Sequence, residues 1–193
     1  MNEPNHLRFS GPDEEPIALS RPIFVHYGRI YLGEVVPVSM GKDWAIAHLQ
    51  DFSASTEDEV QRLRDLGLGR VVLLEVLKHL LETIQTVTAI NISLTHDLEG
   101  NADGMPFVPS LVGLSLLESV GAERVRLQSA HGAKEAVRFS INAFWRYNPP
   151  NIAALKTVLE KEWSSFRERE AAALRSESSQ KGAFAERVLQ WLR

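Results

Sequence analysis

The sequence predicts a mixed α/β (α+β) fold in which a twisted sheet packs against amphipathic helices. Between residues 73 and 84 leucine and isoleucine recur at helical spacing, so one face of a helix is apolar. Residues 90–94 then alternate apolar and polar, which is typical of a strand. Residues 44–52 show little polar alternation, which predicts a central strand covered on both faces. We therefore expect residues 88–94 to form an internal parallel strand beside residues 44–52, with helix 70–84 as the crossover.

The chain divides into three predicted parts. Residues 1–20 carry three prolines and an acidic run, so we expect a flexible or extended leader, with folding from Pro22 onward. Residues 21–148 are predicted to form the α/β domain, and residues 149–193 a C-terminal helical segment. A length of 193 residues suits one domain with such an appendage.

The remaining elements follow from apolar spacing and turn residues. Pro37 places its strand at a sheet edge or a strand end. Asn151 is predicted to cap the long C-terminal helix. In chain order the sequence predicts strands at 23–25, 30–32 and 35–38, a loop at 95–104, a helix at 111–120, a hairpin at 123–145, a helix at 152–166, a serine-rich linker at 176–182 and a short final helix at 184–192.

Composition narrows the classes of function. The net charge is −4 and the pI about 5.9, so nothing indicates nucleic acid as a partner. The chain contains no cysteine, which excludes a disulfide frame and a thiolate metal site and is compatible with the cytoplasm. No spacing of ligands indicates a metal. No apolar stretch is long enough to span a membrane, and the N-terminus does not have the pattern of a signal peptide.

The most informative motif is the glycine loop Arg64-x-x-Gly67-x-Gly69, which precedes the amphipathic helix. A glycine loop that opens a helix exposes unpaired backbone N–H groups at the positive end of the helix dipole, which together can bind an anion. An alternative has no ligand. Thr56 and Glu59 form a capping box, so residues 57–66 can be a helix that ends at Gly67 and makes a hairpin with the next helix.

This loop resembles the pyrophosphate-binding loop of the GNAT acetyltransferase superfamily, whose pattern is Gln/Arg-x-x-Gly-x-Gly/Ala. The order of elements over residues 44–145 is also similar, and would give a GNAT-like strand–loop–helix–strand core. Gly121 fits the glycine of that family's late helix, whereas Leu117 stands where the family usually has the tyrosine that protonates the leaving thiolate. The resemblance implies acetyl-CoA or another acyl-CoA as cofactor, held by Arg64, Leu66, Gly67, Leu68, Gly69 and Arg70.

The resemblance also implies acyl transfer, in which a base takes a proton from an amine that attacks the thioester. Glu34, His48 and Asp51 are the candidate bases, and His96 is a candidate acid. Each has an ordinary structural alternative as a strand-end acid, a packed histidine or an acid that precedes a helix. The acceptor amine can belong to a small molecule or a protein.

A second hypothesis is a non-enzymatic interaction module, and a third is a GNAT-like fold that binds CoA without activity. In the second, the C-terminal helices bind a protein partner or form a homodimer. The final segment presents one apolar face, which we expect to dock on a second copy or on a partner. That face comprises Phe184, Val188, Trp191 and Leu192.

Overall fold

The computed structural model describes residues 6–40, 45–50, 52–98, 108–131 and 137–191. Within these ranges it has an α+β fold, as the sequence predicts, with two sheets where the sequence predicts one and with a single C-terminal helix. The elements are β1 (Leu7–Ser10), a 3-10 turn (Pro12–Glu14), β2 (Ile23–Tyr27), β3 (Ile30–Val35), β4 (Pro37–Met40), β5 (Ile46–Leu49), β6 (Ser53–Ala54), α1 (Asp58–Asp65), α2 (Leu68–Thr83), β7 (Ala89–Leu98), α3 (Val108–Ser119), β8 (Glu123–His131), β9 (Val137–Arg146) and α4 (Pro149–Trp191).

The two sheets are connected by strands that pass from one into the other. One sheet has the order β1-β2-β3-β6, and the other has the order β4-β5-β7-β9-β8. Strand β3 belongs to the four-stranded sheet and β4, the next strand in the chain, to the five-stranded sheet. Strands β5 and β6 make the reverse change. In the five-stranded sheet β5 and β7 are parallel, with Ile46 opposite Ala89 and Leu49 opposite Ile92. The predicted internal parallel strand with a helical crossover is therefore confirmed.

The helices pack on one face of the strands, which we call the inner face. Ile23, Val35, Ala47, Ile90 and Ile141 on that face belong to one core cluster. The same cluster contains the apolar residues of all four helices, namely Val60 and Leu63 of α1, Leu74, Leu77 and Leu80 of α2, Leu116 and Leu117 of α3, and Leu155, Leu159 and Phe166 of α4. The structure is thus a layer of strands covered by helices on its inner face.

Helices α1 and α2 form a hairpin around Gly67. This glycine has φ 91° and ψ 13°, a left-handed conformation that ends α1 and starts α2. The helical alternative for residues 57–66 is therefore confirmed. The predicted capping box is wrong, because the N-cap is Glu57 and no side chain caps it. Instead, the Ser55 hydroxyl accepts a hydrogen bond from the Glu57 N–H at 3.4 Å.

Three predicted boundaries differ from the structure. Folding begins before Pro22, because β1 pairs with β2 and Leu19 is buried. The predicted central strand at 44–52 is shorter and is exposed on one face, since His48 of β5 is only partly buried. The predicted loop at 95–104 is wrong for residues 95–98, because β7 continues as far as Leu98 and pairs there with β9, and residues 99–104 lie outside the described ranges. The alternation of strand residues thus continues into a stretch whose composition is typical of a loop.

The C-terminal segment also differs from its prediction. It is one helix, α4, from Pro149 to Trp191, where the sequence predicts two helices and a linker. Asn148 rather than Asn151 caps it, because the Asn148 carboxamide oxygen accepts a hydrogen bond from the Asn151 N–H at 2.9 Å. The two prolines occupy the first turn of the helix, where a missing N–H costs nothing. The side chains of residues 177–193 lie outside the description, so the docking of the predicted apolar face stays a prediction.

None of the helices in the described ranges combines the length and the apolarity that a bilayer-spanning segment needs.

Candidate functional site

The pairing between β5 and β7 ends part of the way along β7. We call the place beyond the last pair, Leu49 and Ile92, the opening, and it is the main feature of the candidate site. The two strands pair over four residues only, ending at Leu49 and Ile92. Beyond that point β6 pairs with β3 in the other sheet, whereas β7 continues along β9. Ligands of α/β sheets bind outside the carboxyl ends of the strands, where neighbouring strands separate. The opening therefore marks the place on the sheet at which a ligand is expected.

The glycine loop lies at the start of the crossover helix that follows this opening. Its backbone is partly hydrogen-bonded within itself: the Gly67 N–H donates to the Arg64 carbonyl at 2.8 Å, and the Arg70 N–H donates to the Gly67 carbonyl at 3.2 Å. Leu68 is buried in the core, whereas Gly69 is exposed and a Cβ built on it meets nothing within 4 Å. Of the six predicted cofactor residues, Leu68 thus packs the helix, and Gly69 faces open space.

Helix α4 contacts the loop directly through Arg169. The Arg169 Nε donates to the Leu66 carbonyl at 2.7 Å, and its guanidinium lies against Gly67, so that a Cβ on Gly67 would be 2.5 Å from Arg169 Nη2. Two helical turns before Arg169, Glu162 accepts two hydrogen bonds from Arg70, at 2.8 and 2.6 Å. Sequence reasoning missed both contacts, because it had no indication that α4 packs along α2.

Two of the predicted catalytic residues, Glu34 and His48, lie on strands away from the loop. Glu34 lies on β3 opposite Ser53, and His48 lies on β5 opposite Asn91. Their side chains are on the face opposite the helices, which we call the outer face. Asp51 and the side chain of His96 lie outside the described residues, although the backbone of His96 pairs with Phe139 in β7 and β9. Leu117, at the family's tyrosine position, is fully buried in α3 and supplies no acid.

His48 has a defined neighbour on the outer face. The Asn91 carboxamide nitrogen lies 3.1 Å from His48 Nδ1 and 3.7 Å from Met40 Sδ. An amide nitrogen donates, so this contact leaves His48 Nδ1 as the acceptor and places the ring proton of a neutral imidazole on Nε2. The contact with Asn91 thereby orients the His48 ring on the sheet surface.

The outer face of β2, β3 and β4 carries a patch of exposed apolar side chains that sequence reasoning did not identify. Tyr31, Val36, Val38 and Met40 are 38%, 37%, 40% and 42% exposed. They account for four of the five exposed large hydrophobic residues in the described chain, the fifth being Leu174 of α4. Burial alternates here between Val35 and Pro37 on one face and Val36 and Val38 on the other, but all four residues are apolar, so the sequence contained no signal for the exposed face. We call Phe24, Tyr31, Glu34, Val36, Val38 and Met40 the outer patch.

Aromatic rings and one carboxylate form the end of the outer patch. The ring centroids of Phe24 and Tyr31 are 6.2 Å apart in an edge-on arrangement, and those of His26 and Tyr31 are 5.3 Å apart. Burial and the neighbouring Glu34 carboxylate raise the pKa of Tyr31, which indicates that the phenol and the carboxylate are close. Burial and the Arg8 guanidinium lower the pKa of His26, so this ring is neutral at pH 7.

Two cavities lie on the helix side of the described residues. A groove of about 340 Å³ runs between β1, α2 and α4, where Phe9 stacks on His79 with ring centroids 4.5 Å apart. Trp163 donates to Glu75 there at 2.8 Å. A wider and more open depression of about 570 Å³ follows α4 itself. Among the described residues no group of three or more histidine or acidic side chains could hold a metal ion.

Comparison of the chain with models of known protein families gives no match, and comparison with curated proteins gives none either.

Proposed function

We propose that the protein is an acyl-CoA-dependent N-acetyltransferase of GNAT type, which transfers an acetyl group to an amine. One observation carries the proposal: β5 and β7 are parallel neighbours whose pairing ends at Leu49 and Ile92, and the glycine-opened helix α2 lies between them in the chain, after β6 and α1. This agrees with the parallel strands and the crossover helix that the resemblance to the GNAT superfamily implies, although β6 and α1 make the connection from β5 to the glycine loop longer than is usual in that family. A structure in which these strands did not share a sheet would have ended it.

The cofactor would be held at the junction of α1 and α2. Anion binding at such a junction uses backbone N–H groups of the first helical turn, and Gly69 lies in that turn without any neighbour against its Cα hydrogens. Arg169 adds a guanidinium beside Gly67, which suits a pyrophosphate because arginine binds phosphate oxygens through several N–H donors. The acyl chain would then pass through the opening between β5 and β7 to the outer face.

The reaction needs a base for the amine and donors for the oxyanion. Glu34 and His48 both lie on the outer face, where an amine could approach, and Asp51 and His96 remain proposed alternatives. With Leu117 buried, protonation of the thiolate would depend on another group or on water. The proposal includes a cytoplasmic location, with which a chain without cysteine is compatible.

A second candidate is an interaction module that binds a protein or forms a homodimer without catalysis. The observation that favours it is the contact of Arg169 with Leu66 and Gly67, since a loop already filled by a side chain of α4 can be purely structural. The exposed apolar residues of the outer patch also fit an interaction surface.

Thermal unfolding with and without acetyl-CoA separates the two candidates. A ligand at about a hundred times its Kd adds roughly 2.7 kcal/mol to the free energy of unfolding, so the midpoint should rise measurably. Gly69→Val should remove that shift at little cost in stability, because the added side chain meets open space. Ser115→Val is the matched control, since it places the same side chain at an exposed position of α3. If Gly69→Val responds to acetyl-CoA as the parent does, the loop is a structural turn.

A further inference from the structure

We infer that the outer patch is the acceptor surface, and that the acceptor is a lysine in an extended segment of a protein. This inference rests on the proposed acetyl transfer and names its acceptor. The sequence leaves open whether the acceptor amine belongs to a small molecule or to a protein, and we infer a protein. The reason is the shape and the chemistry of the surface that the helices leave uncovered.

The shape of the outer patch suits a chain rather than a metabolite. Small-molecule sites are concave and bury most of their ligand. The outer patch instead follows the seven residues from Glu34 near the end of β3, through Val36, to Val38 and Met40 of β4, and Val36, Val38 and Met40 are each more than a third exposed. Those seven residues span about 20 Å at roughly 3.3 Å per residue, which matches an extended peptide of about six residues.

The charge of the outer patch suits a cation. Glu34 is its only carboxylate, and the aromatic rings of Phe24 and Tyr31 lie beside that residue in the register of β2 and β3. An ammonium group is stabilised both by a carboxylate and by the face of an aromatic ring within about 6 Å. His26, the next polar ring on this face, is neutral, and Arg8 lies one strand further away on β1. The patch therefore selects lysine flanked by apolar residues.

The transfer balances without any further reactant. The unprotonated lysine nitrogen attacks the carbonyl carbon of the thioester, a C–N bond forms, and the C–S bond breaks. The amine gives up one proton as the bond forms, and the thiolate of CoA takes up one proton as it leaves. Acetyl-CoA supplies the acetyl group. Glu34 holds the ammonium group, the base (Glu34 or His48) takes the ammonium proton before the attack, and water then takes that proton from the base.

The test measures peptide binding by fluorescence anisotropy with the full chain. The probe is a fluorescein-labelled pool of blocked hexapeptides with a fixed central lysine and with valine, isoleucine or threonine at the other positions. A second pool carries Nε-acetyl-lysine at the centre. We expect the lysine pool to bind at least tenfold more tightly than the acetylated pool, because acetylation removes the charge.

Variants locate the binding on the outer patch. Glu34→Gln and the double change Val38→Thr with Met40→Gln should each weaken binding of the lysine pool at least tenfold. Glu160→Gln and Leu174→Gln are the matched controls, since each makes the same kind of change at an exposed position of α4. Circular dichroism melting curves confirm that all variants fold.

The outcomes separate this inference from the proposed function. If acetyl-CoA raises the thermal midpoint but the two pools bind equally, or the outer-patch variants bind like the controls, the acceptor inference is wrong and acetyl transfer stands. If the lysine pool binds through the outer patch but acetyl-CoA has no effect, acetyl transfer is wrong and the surface is a docking site. Concentration-dependent self-association lost in Val38→Thr with Met40→Gln would also overturn the inference, because a second copy would then occupy the patch.

Discussion

Replacing Gly67 and Gly69 by alanine, one at a time, should change stability in opposite directions. Gly67 has φ 91°, where an L-residue costs roughly 1–2 kcal/mol. Its new Cβ would also displace Arg169 from the Leu66 carbonyl, an exposed contact worth about 0.5–1 kcal/mol after solvent screening. Gly69 lies in the first turn of α2, a Cβ built on it meets nothing within 4 Å, and alanine there gains up to about 1 kcal/mol of helix propensity.

The two variants should therefore differ by about 3 kcal/mol although they lie two residues apart. For a chain of this size that corresponds to roughly 6–12 °C in Tm. Urea unfolding followed by circular dichroism measures it, provided that the slopes of the two transitions agree. Arg169→Ala should reduce the loss caused by Gly67→Ala, since part of that loss arises from the contact between them. Equal losses at the two glycines would refute the left-handed junction and the α4 contact together.

Further predictions concern α2 and α4. Burial lowers the pKa of His79 below its ordinary 6.5, so the unfolded chain binds the proton more readily and the stability of the fold falls as the pH drops below about 6.5. His79→Phe keeps a ring stacked on Phe9 and should flatten the pH dependence of urea unfolding between pH 7 and 5. An unchanged slope would contradict this explanation. Arg70→Met leaves the Glu162 carboxylate buried without its partner and should cost about 1–3 kcal/mol of unfolding free energy in the same assay. Adding Glu162→Gln to that variant should recover part of the loss. If the losses of the two single variants simply add in the double variant, the pair is not coupled. Truncation after Arg175 should convert a self-associating chain into a monomer of lower mass by light scattering, and monomers in both cases would exclude self-association through the tail.

The sequence predicted those parts of the fold that depend on local spacing. The 2.0 and 3.6 residue periods identified β7 and α2, and the crossover rule then placed β7 parallel to β5. The glycine at the end of α1 was likewise recognisable, because few residues other than glycine adopt its φ. Each of these inferences needs only a few neighbouring residues.

Features that depend on distant packing were not predictable in the same way. The division of the strands between two sheets follows from where β6 pairs, and nothing local in Ser53 and Ala54 encodes β3 as their partner. The serine-rich stretch after Ser176 is helical in α4 although its composition is typical of a linker. The core position of Leu117 also depends on which face of α3 meets the sheet.

The candidate site was predicted only in part for the same reason. The loop Arg64–Arg70 was found because its two glycines lie close together in the sequence. Arg169 and Glu162 contact this loop although they lie about a hundred positions further along the chain, and no spacing rule connects residues so far apart. The outer patch was missed because valine lies on both faces of the segment formed by β3 and β4. The helices cover only one of these two faces, and that packing decides which valines are exposed.

Acetyl-CoA binding at the α1–α2 junction can be observed directly by titrating the ¹⁵N-labelled full chain with acetyl-CoA and following backbone amide resonances. At 21.6 kDa the protein is within reach of such spectra. We expect the amides of Gly67, Leu68, Gly69 and Arg70 to shift first and furthest, with a saturable dependence on ligand, and Gly69→Val to abolish those shifts. Saturating acetyl-CoA that leaves the four amides in place, or that shifts them equally in Gly69→Val, would contradict the assignment of this junction as an acyl-CoA site.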